Sequence, residues 1–466
     1  MKLAPYPEYK ESGQPFLGEI PAHWDLFRNG RLFSQRNETG FGELPILEVS
    51  LKTGVRVRDM DNLKRKQVMS DREKYKRAAQ GDIAYNMMRM WQGAVGVAPV
   101  DGLVSPAYVV VRPFPEVDCR YFSYLFRTAS YMNEVDAYSR GIVKDRNRLY
   151  WQDFKRMPSP VPSVEEQRHI TRFLDAVGSK AQRFIRNKRR LIELLKEQKQ
   201  NVINQAVTRG LDPNVKLKPS GVEWIGDIPE HWNMVPLKHL ASFKGGTGFP
   251  HEAQGRSGLE LPFYKVSDMT LSGNETYMIN TNNSISRETA SSLGATIFPE
   301  RAIIFPKVGG AMLTNKRRIL TKPSCIDNNM MGCVLNSETI FDFLFLRLQT
   351  LDLGLIRKPG PVPAIGEGEV RAFRVPCPPE EEQLEIVEYV KVQTSAIDQA
   401  ISRAQREIEL MREYRTRLIS DVVTGQVDVR GIEVPEVAEE ELLEPDEDTS
   451  ESDDVIDDEM DMEVEE

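Results

Sequence analysis

The stretch GEIPAHW, Gly18 to Trp24, returns as GDIPEHW, Gly226 to Trp232. A shift of 208 residues also superposes Ser12 and Gly13 on Ser220 and Gly221, Leu32 on Leu240, Ser34 on Ser242, and the triplet TGF at 39–41 on that at 247–249. A second block repeats at a shift of 216: PSPVPSVEEQRHI (158–170) is answered by PCPPEEEQLEI (376–386), and Val207-Thr208 by Val423-Thr424. Self-similarity at a fixed period decides architecture before any local propensity does. The order is a domain, a helix, a second copy of each, and a tail.

Each helical segment follows a proline-rich stop and is itself free of proline. Ser163 with Glu166 three residues on reads as a capping box. Apolar residues then recur at 4-3 spacing. In the first copy they are Ile170, Leu174, Val177, Ala181, Phe184, Leu191, Leu195 and Val202, interrupted at Lys188 and Gln198. In the second they are Ile386, Val390, Ile397, Ala400, Ala404, Met411, Tyr414 and Leu418, broken at Gln393 and Glu407. This predicts a coiled-coil-like pair, about 65 Å long at 1.5 Å per residue. Gly178 is a candidate kink. The intervening domains mix short apolar runs (YVVVRPF, 108–114; RAIIFPKVGG, 301–310) with helix-like stretches (120–135; 341–351), an α+β pattern. Their middles differ from each other, as in a duplicated reader of two different targets.

Charge is unevenly distributed. The net charge is −9, but residues 431–466 hold 19 acidic residues and no Lys or Arg. The rest carries 61 basic residues against the 51 acidic ones that remain of 70, a body of +10 suited to a polyanion. The acidic tail is expected to be disordered, as a solubility tail or as a mimic competing with DNA for the body. No apolar run spans a bilayer and no signal-like segment opens the chain, so a cytoplasmic location is expected. Cys119, Cys325, Cys333 and Cys377 form no CxxC pair, which argues for buried thiols over zinc.

Catalytic signatures are sparse. FKGGTGF (243–249) offers a glycine-rich cofactor loop or merely a turn, and its counterpart QRNETGF lacks the glycine pair. His23 and His231, each beside a tryptophan in a repeated frame, read as packed entry residues, and Trp24 and Trp232 as apolar plugs. Candidate DNA contacts are basic residues of the diverged middles: Lys64, Arg65, Lys66, Arg89, Arg140, Lys144, Arg146 and Arg148 in the first copy. In the second they are Lys244, Lys307, Lys316, Arg317, Arg318, Arg357 and Lys358.

The motifs LGEIPAHW and IGDIPEHW, PSPVPSVEEQ and PCPPEEEQ, AVTRG and VVTGQ, in that duplicated order, resemble the specificity subunit of type I restriction–modification systems. The resemblance covers nearly all of 1–430. It implies target-recognition domains at 1–160 and 211–378, each reading half of a split DNA site. Conserved helical spacers would lie at 161–210 and 379–428, packed antiparallel, with a disordered acidic tail at 429–466. The helices would dock two methyltransferase subunits, through residues such as Leu174, Phe184, Leu191, Leu195, Val390, Ile397, Met411 and Leu418, and restriction endonuclease subunits would join. The resemblance implies no catalysis and no metal in this chain. S-adenosylmethionine, ATP and Mg would belong to the partners. The alternative is a stand-alone DNA methyltransferase or a module of a methylation-only system. PAIGEGEVRAFRVP (363–376) is a loose version of the family's run-in, and the tail is not part of the family frame.

Overall fold

A computed structural model describes residues 3–51, 53–58, 72–141, 147–337, 340–358 and 360–435. They form two compact units, one drawn from the chain up to Arg190 and from Ala404 onward, the other being Leu191–Arg403. Each mixes short strands with helices. Two long helices, α1 (Val164–Arg209) and α2 (Glu380–Val423), pass from one unit into the other.

The repeated sequence folds into a repeated frame. In unit 1 an entry ribbon pairs Tyr9–Glu11 with Glu19–Pro21, and a second pairs Asp25–Arg28 with Pro158–Val161. Unit 2 pairs Leu217–Pro219 with Asp227–Pro229, and Asn233–Pro236 with Arg374–Cys377. The central sheets share three antiparallel strands. They are Phe33–Arg36, Tyr108–Pro113 and Ile83–Asn86 in unit 1, and Ala241–Gly245, Met330–Leu335 and Ile303–Pro306 in unit 2. Beyond that frame the units part. Unit 1 adds Val95–Val97 to its sheet, whereas unit 2 adds Arg318–Leu320 and then, in parallel, Tyr277–Met278. Unit 1 carries a hairpin of Leu47–Ser50 and Gly54–Val57; unit 2 carries a separate three-stranded sheet centred on Leu261–Tyr264.

The stretch 120–135 is two helices, Cys119–Phe126 and Ala129–Tyr138. Asp118 caps the first and Thr128 the second, each accepting from backbone N–H groups that a helix start leaves unpaired. The aromatic faces of these helices fill the unit 1 core, where Phe122, Phe126 and Tyr131 are fully buried with Phe33 and Phe154. In unit 2 the helix Phe341–Gln349 plays that part.

The long helices depart from the expected seam. Ile170, Leu174 and Ala181 are buried as read, but then Ile185 and Ile192 take over, and Leu191 is 40% exposed. Phe184 and Leu195 are half-buried. A helix of 3.6 residues per turn drifts by about 20° per heptad against a 3.5 repeat, which moves the buried line by one residue. In α2, Ile386, Val390, Ile397, Ala404 and Leu418 are buried, Ile408 joins them, Met411 is half-buried and Tyr414 lies exposed. Two of the four polar residues that interrupt the pattern pair with each other. Lys188 Nζ lies 2.6 Å from Glu407 within unit 1. Lys199, from the same helix, lies 2.6 Å from Asp398 within unit 2. α1 runs without a break through Gly178.

The tail boundary also moves. Val429 is fully buried in the unit 1 core, Ile432 and Val434 pack against it, and the ring of His169 hydrogen-bonds the Val429 carbonyl at 2.8 Å. Residues 429–435 therefore belong to the folded body, and the remaining tail, 436–466, lies outside the described residues. Among the described residues no helix is long and apolar enough to cross a membrane.

Candidate nucleic-acid interface

The three repeated motifs converge, once in each unit. In unit 1 the Trp24 indole, fully buried, donates from Nε1 to Glu166 Oε1 at 3.1 Å, and the His23 ring meets Glu166 Oε2 at 2.9 Å. Tyr6 donates its hydroxyl to the same carboxylate at 2.8 Å. In unit 2 Trp232 Nε1 donates to Glu382 at 3.0 Å and the His231 ring meets it at 2.8 Å. The glutamate of each EEQ thus clasps the His-Trp pair of its own unit. The adjacent glutamines hold the proline run: Gln167 Nε2 donates to the Pro162 carbonyl and Gln383 Nε2 to that of Pro378, both at 2.9 Å. The capping box is accordingly half-formed. Ser163 Oγ accepts from the Glu166 amide at 3.3 Å, but the Glu166 side chain is engaged by the clasp.

The third motif arrives from the other repeat. In unit 1 the end of α2 closes the junction: Tyr121 Oη donates to the Val423 carbonyl at 3.0 Å, and Gly425 lies against Pro21 and Trp24. In unit 2 the end of α1 does so: Thr208 accepts from Arg347 at 3.1 Å and Gly210 lies against Trp232. Both glycines have positive φ, +80° and +73°, as helix-terminating residues do. The histidines are therefore framework, consistent with their repeated setting. Arg347 was not legible as part of this frame. It is buried, stacks over Trp224 at 5.5 Å, and burial pushes its pKa down to about 10, so it remains charged at neutral pH.

The glycine-rich loop holds no cradle. A side chain on Gly246 would collide with the backbone of Ile326 and Asp327, because Gly246 and Thr247 continue the sheet there: their amides donate to the Met330 and Ile326 carbonyls, both at 3.0 Å. Gly246 is thus required by close backbone approach. Phe249 stacks on Phe263 with ring centroids 3.8 Å apart.

The basic candidates divide. Lys64, Arg65, Lys66, Lys144 and Arg146 lie outside the described residues. Arg89, Lys244 and Arg357 are exposed and Lys307 and Lys316 half-buried. Lys307 Nζ approaches Gly245, whose amide donates to Glu367 at 2.9 Å, so it sits beside Lys244 on one edge of the unit 2 sheet. Arg140 and Arg148 pair through their backbones, and the Arg140 guanidinium is held by the buried carboxylate of Asp153. Lys358 reaches Glu369 at 3.3 Å. Arg317 is a correction. It is only 3% exposed, donates to the Leu351 carbonyl and to Asn315, and burial pushes its pKa down to about 9. It braces the fold and cannot reach a groove. Arg318, half-buried, donates to the carbonyls of Arg317 and Met269. The two are neighbours in one basic run, Arg317 just before the strand Arg318–Leu320 and Arg318 at its start, and their charge says nothing of which turns into the core.

Among the described residues no group of His, Cys, Asp and Glu is arranged to hold a metal. Cys119, Cys325 and Cys333 are buried and Cys377 half-buried, all unpaired. The fold thus carries one closed framework, built from the same motifs, in each of two α+β units, and the residues mounted on the two frameworks differ.

Residues 229–410 match the type I restriction modification DNA specificity domain. The chain is 23% identical over 453 residues to a protein named as the type I restriction enzyme MjaX specificity subunit of Methanocaldococcus jannaschii, covering 91% of this chain and 98% of that one. It is 24% identical over 300 residues to the type I restriction enzyme MjaVIII specificity subunit of the same organism, covering 60% and 64%. A solved structure concerned with complex assembly and conformational transition of the type I R-M system superposes with a TM-score of 0.61 at 14% identity, covering 87% of this chain and 98% of that one. Along most of its length the chain is thus similar to type I restriction enzyme specificity subunits, and residues 229–410 carry the match to their DNA specificity domain.

Proposed function

We propose that each unit reads one half of a split DNA target, that α1 and α2 pack antiparallel to set the gap, and that this chain is non-catalytic. The observation that carries the reading is the pair of junctions. Equivalent His, Trp, Glu and Gln residues build one frame twice, a glycine just past the end of a long helix closes each, and the strands mounted on the two frames differ. A frame built twice, each copy with its own surface, suits a target read in two parts. The pairs Lys188–Glu407 and Lys199–Asp398 support the antiparallel packing, since residue numbers rise on one helix as they fall on the other. At 46 residues, α1 is about 69 Å long.

The two frames offer related sites to two methyltransferase subunits, with restriction subunits joining that core. S-adenosylmethionine, ATP and Mg act on those partners, and the assembly works in the cytoplasm. The backbone packing of Gly246 supports this reading over a stand-alone methyltransferase. Methylome sequencing of the host with and without this gene tests the reading. Loss of one bipartite methylated motif is expected; loss of a continuous motif, or none, contradicts it. Inserting about four residues, one turn, into both long helices lengthens the gap and preserves both half-sites.

A further inference from the structure

The first half of α1 differs in charge from its own duplicate. Residues 164–190 hold eight Lys and Arg against three Asp and Glu; the equivalent 380–406 hold three against six. The excess is ordered. Arg168, Arg172, Lys180, Arg183, Arg186 and Arg190 are all exposed. At 3.6 residues per turn they fall within a sector of about 120° on one face, opposite Ile170, Leu174, Ala181 and Ile185. Glu165 shares that face at the helix start. The equivalent positions in α2 are Leu384, Glu388, Ala396, Gln399, Ser402 and Arg406, where one cation remains.

We infer that this basic face of α1 is the docking site of the chain's own acidic C-terminal segment, 436–466. Charge complementarity is the first argument: the segment holds 18 acidic residues and no Lys or Arg in 31 positions. Where it begins is the second. The chain reaches Pro435 after packing Val429, Ile432 and Val434 into the core of this same unit, with the Val429 carbonyl bonded to His169, one residue from Arg168. The last residues before the segment therefore pack on the unit that carries the basic face, and one of them, Val429, bonds to α1 itself. Reach is the third. A flexible chain of 31 residues has a root-mean-square span of about 30 Å, and the helix from Arg168 to Arg190 rises about 33 Å. The tether supplies an effective concentration on the order of millimolar, enough for weak ionic contacts to hold. A duplex passing both equivalent helices would favour basic charge in both copies. The charge occurs only in the copy beside which the acidic segment starts.

The test uses the full chain with spin labels at Asn187→Cys and Asp453→Cys in a Cys377→Ser background, read by pulsed dipolar spectroscopy. A short-distance population is expected at about 50 mM salt. It is lost at about 0.5 M, where screening shortens to a few ångströms, and lost in Arg183→Glu/Arg186→Glu/Arg190→Glu. A distance distribution unchanged by salt and by charge reversal overturns the proposal; the salt arm alone decides should the triple variant misfold. If charge reversal leaves the distances unchanged but weakens binding of the labelled chain to duplex DNA, the face belongs to nucleic-acid phosphates and the proposal is likewise overturned.

Discussion

The two junctions are built to one plan, yet the first is tighter. Glu166 receives Tyr6, His23 and Trp24 and its side chain is 5% exposed; Glu382 receives His231 and Trp232 and is 23% exposed. The position equivalent to Tyr6 is Asn214, so unit 2 lacks the third donor. The end of α2 also leaves less room in unit 1, where a Cβ added to Gly425 would lie 2.3 Å from Pro21, than the end of α1 does in unit 2, where one added to Gly210 would lie 3.2 Å from Glu382. The difference teaches that the frame is inherited and its tightness adjusted locally: the segment before Tyr9 adds a strap to one copy.

The largest effects come from the plugs. Trp24→Ala and Trp232→Ala should each cost about 3–5 kcal/mol, seen by hydrogen exchange as loss of protection in the mutated unit first. Equal loss in both units would break the idea of two separate frames. Next come the clasps. Glu166→Ala leaves the Tyr6 hydroxyl and the Trp24 indole without an acceptor, at about 1–3 kcal/mol per buried group. Chemical denaturation should therefore show a loss of about 3 kcal/mol, and about half that for Glu382→Ala. A reversed order would remove the role given to Tyr6. Glycine substitutions separate the two closures more finely. Gly210→Ala should cost about 1 kcal/mol for its positive φ alone, whereas Gly425→Ala adds a collision with Pro21 and should cost clearly more in the same assay. The smallest effect is at the helix pair. Lys188→Met removes a partly exposed ion pair and should change stability by no more than about 1 kcal/mol.

Much of this was legible because duplication writes a frame twice. The shift of 208 found the entry ribbons and first sheet strand, and the shift of 216 found the helices. What the motifs bind was not legible. Nothing in EEQ announces that its second glutamate will be claimed by a His-Trp pair some 150 residues away, because that contact is set by tertiary packing. The seam was misread by one residue at Phe184 and Leu191, since each is followed by an isoleucine that fits a 3.6-residue period better. The inward setting of Arg317 was not legible because charge alone does not reveal which member of a basic run turns into the core, and that of Arg347 because an isolated arginine in an apolar helix carries no pattern. The divergence of the basic surfaces was visible, but their disposition was not, and five of the proposed contacts lie outside the described residues.

On the proposed reading, two equivalent frames carry two independent readers. Replacing residues 25–155 with the corresponding segment of a relative of different specificity, and sequencing the host methylome, tests it most directly. One half of the bipartite motif is expected to change while the other half and the gap stay as they were. A change in both halves, or in the gap, would contradict it.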